Sequence, residues 1–184
     1  HLIDKGLKST GYDEVSLLSL STGDYSCIGP LISSIIERYR EEKVAVSLPS
    51  LRVETLTPLI IRQIQEVRKT GFTLAPEAGS ERLRQVINKG NTEADLLSTI
   101  RTVFSANWRL VKLYFMIGLP TEEKEDLEGI VTLCQKALAE ARRVKGSAQV
   151  NVSISTFIPK AHTPFQWEAQ GSMEEVQEKQ KFLR

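Results

Sequence analysis

Side chains that can do chemistry occur in short clusters, each directly after an apolar run that is typical of a β-strand. In the cluster Ser21–Asp24, Gly23 lets a ligand approach the backbone, and Asp24 can accept hydrogen bonds from an ammonium group or from hydroxyls. In the cluster Pro76–Ser80, Glu77 can act as a base or bind ribose hydroxyls. Each acid also has a structural interpretation, because Asp24 can cap the next helix and Glu77 can interact with a helix N-terminus.

Three basic side chains are further candidates for a site. Arg52 can hold a carboxylate in a fork, or it can pair with Glu54 at the surface. Lys112 can contact a ligand carboxylate, form a Schiff base if its pKa is lowered, or pair with an interior acid. His162 lies between prolines and aromatic residues, where it is either a proton donor or substrate contact, or part of a packed loop.

Composition argues against several classes of protein. The formal net charge of the 184 residues is +1, so no basic surface indicates bulk binding of nucleic acid. No apolar run approaches the ~20 residues of a membrane span, and the first residues show no secretory segment. Cys27 and Cys134 are the two cysteines and lie far apart, which favours a reducing compartment over a disulfide framework. We therefore expect a cytoplasmic protein without a membrane partner.

The common catalytic motifs are missing from the sequence. It contains no zinc-ligand spacing, Walker loop or dinucleotide glycine fingerprint. It also has no nucleophile elbow that would support hydrolysis by a serine triad. The sequence therefore indicates a place for a site more clearly than it indicates a reaction.

Five apolar, β-rich runs organise the chain, and each precedes a helix-like stretch. The runs are Val15–Leu20, Val44–Leu48, Gly71–Ala75, Leu110–Ile117 and Val150–Phe157. Strands in repeated β-then-α units are parallel, so the polar clusters that follow them would gather at the ligand-binding end of one sheet. Because a complete eight-unit barrel needs about 250 residues, the pattern predicts a short open α/β sheet or part of a larger barrel. We expect residues 1–184 to be a single domain and a piece of a longer protein.

Helix boundaries follow from apolar spacing and capping residues. Residues 28–40 have one apolar face, formed by Leu31, Ile32, Ile35 and Ile36. Further helices are predicted to start at Thr57, Ser80, Thr92, Thr121 and Ser172. The first of these runs to about Lys69, and the last has Glu175 in a capping box and is cut off at Arg184.

The fourth run has two different faces. Alternation along a strand places Val111, Leu113, Phe115 and Ile117 on an apolar face under the helices. Lys112, Tyr114 and Met116 then face the barrel interior. Gly118 and Pro120 predict a sharp exit from this strand that leaves backbone groups accessible to a flat ligand.

Four segments together resemble the core of a radical S-adenosylmethionine (SAM) enzyme. They are Leu18–Tyr25, Leu74–Leu83, Lys112–Glu122 and Phe157–Phe165, and the resemblance extends from about Gly11 to Arg184. It is strongest to an uncharacterised branch related to cobalamin-associated radical SAM proteins. More distant relatives are the methylthiotransferases that modify tRNA or a ribosomal protein.

The resemblance implies a partial (β/α)6 barrel, of which this chain supplies the second to sixth strands. It implies that Ser21, Thr22, Gly23 and Asp24 hold the SAM amino group, and that Glu77 lies near the ribose or methionine part. Arg52 matches polar positions after the third strand. Met116, Ile117, Gly118 and Phe157 match the segments beside adenine, and Lys112 is a weaker match.

The family pattern also requires a Cys-x3-Cys-x2-Cys motif, which this sequence lacks. Its three thiolates hold a [4Fe–4S] cluster, whose fourth iron chelates SAM. The resemblance therefore implies an oxidoreductase that, when intact, takes an electron from a donor and cleaves SAM to a 5′-deoxyadenosyl radical. As given, the chain would supply the SAM-binding wall and be inactive, with the motif lying before its first residue. The resemblance leaves the substrate, the catalytic residues and the use of cobalamin open.

Two other functions remain compatible with the residues. The first is a non-radical barrel enzyme, such as a Schiff-base lyase that uses Lys112 with Glu77. The second is a cluster-free module that binds an adenosyl ligand or a protein partner.

Overall fold

The computed structural model describes residues 1–18, 25–47, 61 and 72–184 of the chain. Helices and strands mostly alternate through these residues, although two helices in succession follow the third strand. They are α1 (Leu2–Thr10), β1 (Glu14–Ser16), α2 (Ile28–Arg38), β2 (Ala45–Ser47), β3 (Phe72–Glu77), α3 (Glu81–Val86), α4 (Glu93–Ser105), β4 (Leu110–Ile117), α5 (Lys124–Val144), β5 (Gln149–Thr156) and α6 (Met173–Phe182). The helix predicted over residues 57–69 lies outside the described residues except for Ile61, which is helical and fully buried.

All the strand pairs in the described part of the chain are parallel. β1 pairs with β2 in one sheet, and β3, β4 and β5 form a second sheet with β4 in the centre. The predicted α/β class with parallel strands is confirmed, and it is consistent with a partial β/α barrel. The expected single sheet is not found, because the described residues form two separate ladders and no closed barrel.

The central strand β4 has the two faces that its sequence predicts. Val111, Leu113, Phe115 and Ile117 are completely buried. They belong to one core cluster with apolar residues of α4 and α5, such as Ile100. Burial of each such side chain contributes about 1.5–3 kcal/mol, so this face of β4 fixes the helices against the sheet.

β3 continues two residues beyond the predicted end of its run. The predicted run stops at Ala75, whereas the strand includes Pro76 and Glu77. The pairing with β4 shifts between Leu74 and Glu77, as expected around a proline that cannot donate a ladder hydrogen bond. The irregularity places Glu77 at the very end of the strand.

Local capping chemistry places three helix starts correctly. Ser80, Thr92 and Ser172 each accept a hydrogen bond from a backbone N–H three residues later. The predicted start of α5 at Thr121 is wrong, because Thr121 adopts a left-handed conformation (φ 62°) and Glu123 is the N-cap. None of the helices in the described ranges is long and apolar enough to cross a bilayer.

The buried face of α2 differs by one residue from the prediction. Ile28 is buried, together with Ile32, Ile35 and Ile36, whereas Leu31 is 37% exposed. α1 was not anticipated from the sequence, although Gly11 ends it in a left-handed conformation that is typical of a helix C-terminus. Arg38 of α2 donates to Asp4 of α1, which holds the two helices together.

Candidate functional site

The carboxyl ends of β3, β4 and β5 lie at one edge of the larger sheet. We call this edge the rim and define it by Glu77, Gly118 and Phe157. The three strands are parallel, and Glu77 pairs with β4 near the carboxyl end of that strand. Phe157 directly follows β5 and donates its N–H to the Ile117 carbonyl at 2.9 Å. The three residues therefore belong to one contiguous edge, on the side where parallel β/α folds bind ligands.

Glu77 is held in a conformation that is unfavourable for a side chain with a Cβ atom. Its φ is 71°, and such left-handed residues cost about 1 kcal/mol or more relative to ordinary backbone. Its carboxylate is 22% exposed and lies 3.4 Å from the Lys89 ammonium, which is 26% exposed. The carboxylate is thus accessible at the rim and has a cation beside it.

A small apolar cluster lies directly behind the rim. Ala78, Leu83 and Leu119 are its buried members, and Met116 and Phe157 pack against it while remaining partly exposed. Phe157 also makes an edge-to-face contact with Phe165, with ring centroids 6.1 Å apart. Met116 and Phe157 can therefore offer apolar surface to a flat ring, because they lie between this cluster and solvent.

The loops that follow β3 and β4 are fastened together through Asp126. Its carboxylate is only 2% exposed and accepts hydrogen bonds from Ser80 Oγ, Arg82 and the Glu123 N–H. Burial alone would raise the pKa of Asp126, but the hydrogen bonds and the Arg82 charge lower it below the ordinary value. Arg82 also donates to the Thr121 carbonyl at 2.8 Å, so one cation connects both loops.

Two glycines let these loops approach closely. A Cβ atom on Gly79 would clash with Asp126 O and Ile130 N and would lie 2.7 Å from the carbonyl carbon of Gly129. A Cβ on Gly129 would lie 3.0 Å from the carbonyl of Gly79. The backbone after β3 therefore rests directly on the first turns of α5, with no room for a side chain between them.

A buried arginine supports the peptide that follows Glu77. Arg84 donates to the Ala78 carbonyl at 2.8 Å and to the Asn91 carbonyl at 2.9 Å. Burial lowers the pKa of Arg84, which the nearby acids Glu81 and Glu93 partly oppose. The rim thus rests on two arginine-centred hydrogen-bond networks, those of Arg82 and Arg84.

Comparison with known proteins identifies the family. The family model of the radical SAM superfamily matches residues 2–134. The chain belongs to the radical SAM superfamily. It is also 38% identical, over 168 residues, to an uncharacterized protein of Methanocaldococcus jannaschii. That match covers 91% of this chain and 35% of the relative, so the chain spans about a third of the length of this curated protein.

The described part of this radical SAM chain contains some of the residues that the family resemblance singles out. Glu77, Met116, Gly118 and Phe157 lie at or beside the rim. Ser21, Thr22, Gly23, Asp24 and Arg52 lie outside the described residues.

Ile117 and Lys112 have different relations to the rim of the radical SAM domain. The Ile117 side chain is completely buried on the helix side, so only its backbone reaches the rim. Lys112 lies four residues before Met116, about 13 Å away along an extended strand. Its ammonium lies 4.7 Å from the Tyr114 ring centroid, in a cation–π contact. Its cross-strand neighbour is Thr73, whereas Glu77 pairs at the other end of β3, so the structure does not bring Lys112 and Glu77 together.

His162 lies in the loop that follows β5. It is exposed and has a left-handed backbone (φ 63°), and its N–H donates a hydrogen bond to Gln166 Oε1 at 3.2 Å. The loop also contains the hydrogen bond from Thr163 Oγ1 to the Lys160 carbonyl. His162 therefore lies in a hydrogen-bonded turn of the same loop whose Phe165 ring contacts Phe157 at the rim.

The cysteines of this radical SAM chain do not fit an iron–sulfur cluster. The sequence has two cysteines, one fewer than the family motif requires. Cys27 is exposed, whereas Cys134 packs against the core and burial raises the pKa of its thiol to about 11. Within the described ranges, no group of three or more His, Cys, Asp or Glu side chains could hold a metal ion.

Several residues of the site were missed by sequence reasoning. They are Arg82, Lys89, Glu122, Asp126 and Lys179. Each of them contacts a residue at least 12 positions away in the sequence, and Glu122 in addition accepts from the nearby Gly118 N–H. The sequence does show charged residues close to the segments Pro76–Ser80 and Gly118–Thr121. It does not show which residue each of them binds or where its side chain lies.

Proposed function

We propose that this chain is part of the catalytic barrel of a cytoplasmic radical SAM oxidoreductase and that it supplies the wall that binds SAM. We further assign it to the branch related to cobalamin-associated radical SAM proteins, with an external electron donor. The cluster thiolates would come from outside these 184 residues. The observation that carries this proposal is the convergence of Glu77, Gly118 and Phe157 at one rim in a chain of this family.

The residues of the rim suit the parts of SAM differently. The accessible Glu77 carboxylate can accept hydrogen bonds from the ribose hydroxyls or from the methionine ammonium. Met116 and Phe157 can pack against adenine, because both are partly exposed above an apolar cluster. We assign the amino group of SAM to Ser21–Asp24, and Arg52 and Lys112 to secondary contacts. His162 is a candidate for the substrate side.

The family's defining chemistry, reductive cleavage of SAM, requires a cluster that this chain does not ligate. The chain's own contribution is to bind and orient the adenosyl group. Its wall is rigid on physical grounds, since the loops after β3 and β4 are joined by the buried Asp126 and by the close contact of Gly79 with Gly129. A preorganised wall reduces the entropy cost of fixing a ligand for reaction.

The first test uses the complete natural protein that contains this chain. We expect a Cys-x3-Cys-x2-Cys motif before residue 1, and cluster absorption after anaerobic reconstitution. We also expect Glu77→Gln to weaken SAM binding by about tenfold or more, because the loss of a hydrogen bond to a charged acceptor costs about 1.5–3 kcal/mol.

A matched control is available on α5. Glu128 also has an ammonium at 3.4 Å, that of Lys124, but it is more exposed and lies on the helix. Glu128→Gln should therefore leave SAM affinity unchanged. Equal affinity of Glu77→Gln and the unaltered protein would contradict the assigned role of Glu77.

A cluster-free adenosyl-binding module is the second candidate, and the presence of only two cysteines favours it. A complete reading frame without the motif, with SAM binding but no cluster absorption, would select this function over the enzyme.

A further inference from the structure

Glu122 carries a buried charge that is held from two sides. Its side chain is only 2% exposed. Both carboxylate oxygens accept from the Gly118 N–H, at 2.9 and 3.0 Å, and Oε1 also accepts from Lys179 Nζ at 2.6 Å. Because a carboxylate is costly to bury without partners, the Gly118 N–H and the Lys179 ammonium together compensate Glu122 for the water that it loses.

The contact with Gly118 fixes a single peptide group of the rim. The N–H of the Ile117–Gly118 peptide goes to Glu122, and its C=O accepts from the Phe157 N–H. Gly118 has φ 78°, and a Cβ there would meet nothing within 4 Å, so the position requires glycine for its conformation rather than for space. The plane of this peptide is therefore set by Phe157 on one side and Glu122 on the other.

Lys179 connects α6 to Glu122, which lies 57 residues earlier in the sequence. α6 has no buried residue of its own, and Lys179 is 29% exposed. Among the described residues, this end of the helix also makes apolar and weaker contacts: Leu183 packs against the core, and Lys124 Nζ lies 5.9 Å from the Phe182 ring centroid. The ion pair with a buried carboxylate is therefore a major source of α6 docking.

We infer that Glu122 and Lys179 are positioning residues that couple the docking of α6 to the binding of an adenosyl ligand at the Gly118 rim. This inference rests on the proposed function. The docked lysine neutralises Glu122, and Glu122 orients the rim peptide against which the adenosyl group packs. Undocking of α6 leaves the carboxylate with one donor and loosens that peptide. Coupling between two equilibria is reciprocal, so a ligand that binds better to the oriented peptide also shifts α6 toward its docked position.

The test compares Lys179→Met with Lys181→Met in the complete natural protein. Both variants remove one ammonium from the same helix, but Lys181 is exposed and makes no ion pair with any residue that the structure describes. Two quantities are measured: the affinity for S-adenosylhomocysteine by calorimetry, and amide hydrogen exchange in residues 173–182 with and without that ligand.

We expect Lys179→Met to weaken S-adenosylhomocysteine binding by about fivefold or more, and Lys181→Met to leave it unchanged. S-adenosylhomocysteine should slow exchange in α6 of the unaltered protein and of Lys181→Met, and it should fail to do so in Lys179→Met. Lys179→Arg should restore both effects, because it retains a cation. Glu122→Gln should have the same effects on binding and on exchange as Lys179→Met. If Glu122→Gln does not fold, because the position is buried, the result for Lys179→Met alone decides.

Two results would overturn the inference, and only one of them would also overturn the proposed function. If Lys179→Met binds S-adenosylhomocysteine as tightly as the unaltered protein, the pair is only structural and the proposed function stands. If the unaltered protein does not bind S-adenosylhomocysteine, the proposed function fails and the coupling fails with it.

Discussion

Two acids near the rim are held in opposite ways, which separates a ligand contact from a structural one. Glu77 is accessible, lies in a strained backbone conformation and has one lysine beside it. Asp126 is buried, and three groups of the protein donate to it. A carboxylate whose donors are all supplied by the protein stabilises the fold, whereas one with free acceptor capacity at a ligand-binding edge is available for binding.

Asp126 should make stability depend on pH in the acid range. Its pKa in the folded protein is lower than the ordinary 3.8, so its contribution is complete above about pH 4 and is lost as the pH falls through the folded-state pKa. We expect Asp126→Asn to lower the free energy of unfolding by about 2 kcal/mol at neutral pH.

The check is urea denaturation of both proteins at neutral pH and at successively lower pH. The difference between the two should shrink as the pH falls below about 4, since the unaltered acid becomes protonated. Asp13→Asn, at an exposed position, should show no such difference at neutral pH. A difference that stays constant with pH would exclude a charge-dependent role for Asp126.

At the scale of single residues, sequence indicated which acids to examine but not their partners. Glu77 was a candidate because it follows an apolar run, and it does lie at the rim. Its partner Lys89 and the partner pair of Glu122 and Lys179 depend on how helices pack, which no local pattern encodes. The burial of the Ile117 side chain was predictable from strand alternation. Only the backbone of Ile117 can therefore lie beside adenine, as the resemblance implies.

At the scale of elements, helix starts were predictable where the cap and its target are neighbours in sequence. Ser80, Thr92 and Ser172 reach backbone groups only three residues away, so the sequence contains the whole interaction. Thr121 does not cap α5, since its backbone is left-handed (φ 62°) and both its hydroxyl and its carbonyl accept from Arg82, 39 residues earlier. The side chain that follows it, Glu122, turns back to Gly118 instead of capping the helix.

The contact between the β3–α3 loop and α5 should be very sensitive to added volume. Gly79→Ala places a methyl group against Asp126 O and Ile130 N, which are backbone atoms that cannot rotate away. We expect a loss of about 2–4 kcal/mol of unfolding free energy, as for other overpacked positions where backbone must shift.

Gly90→Ala is the matched control, because a Cβ atom at Gly90 would meet nothing within 4 Å and its φ is ordinary. It should change stability by less than about 0.5 kcal/mol in either direction. Thermal or urea denaturation of the two variants measures the difference. Equal stability of Gly79→Ala and Gly90→Ala would show that the two backbones are not in contact in solution.

At the scale of the whole molecule, the β-then-α pattern predicted the class of fold, and the parallel strands confirm it. The order β3-β4-β5 follows from β/α repetition, because sequential parallel strands tend to be neighbours. The division of the described strands into two sheets was not predictable, since ladder pairing between strands depends on geometry that composition does not record.

The main core cluster includes residues beside both sheets, so we expect the two sheets to unfold together. The main cluster contains Ile32 of α2 beside the smaller sheet and Leu113 of β4 in the larger one, both completely buried. We expect Ile32→Ala and Leu113→Ala each to cost about 2–5 kcal/mol and to shift the same single transition in urea. Val152→Ala, at a position that is 43% exposed, is the control and should cost less than about 1 kcal/mol. Two separate transitions would show that the two sheets are independent units.

The pair Gly79 and Gly129 also has a mechanical consequence. Backbone rests on backbone there, so neither a side chain nor a water layer can absorb a relative displacement of the loop and the helix. α5 has 21 residues and is therefore about 31 Å long. A shift of the loop that follows Glu77 must therefore move α5 with it as a rigid body. The displacement would be largest at the far end of the helix, near Lys145.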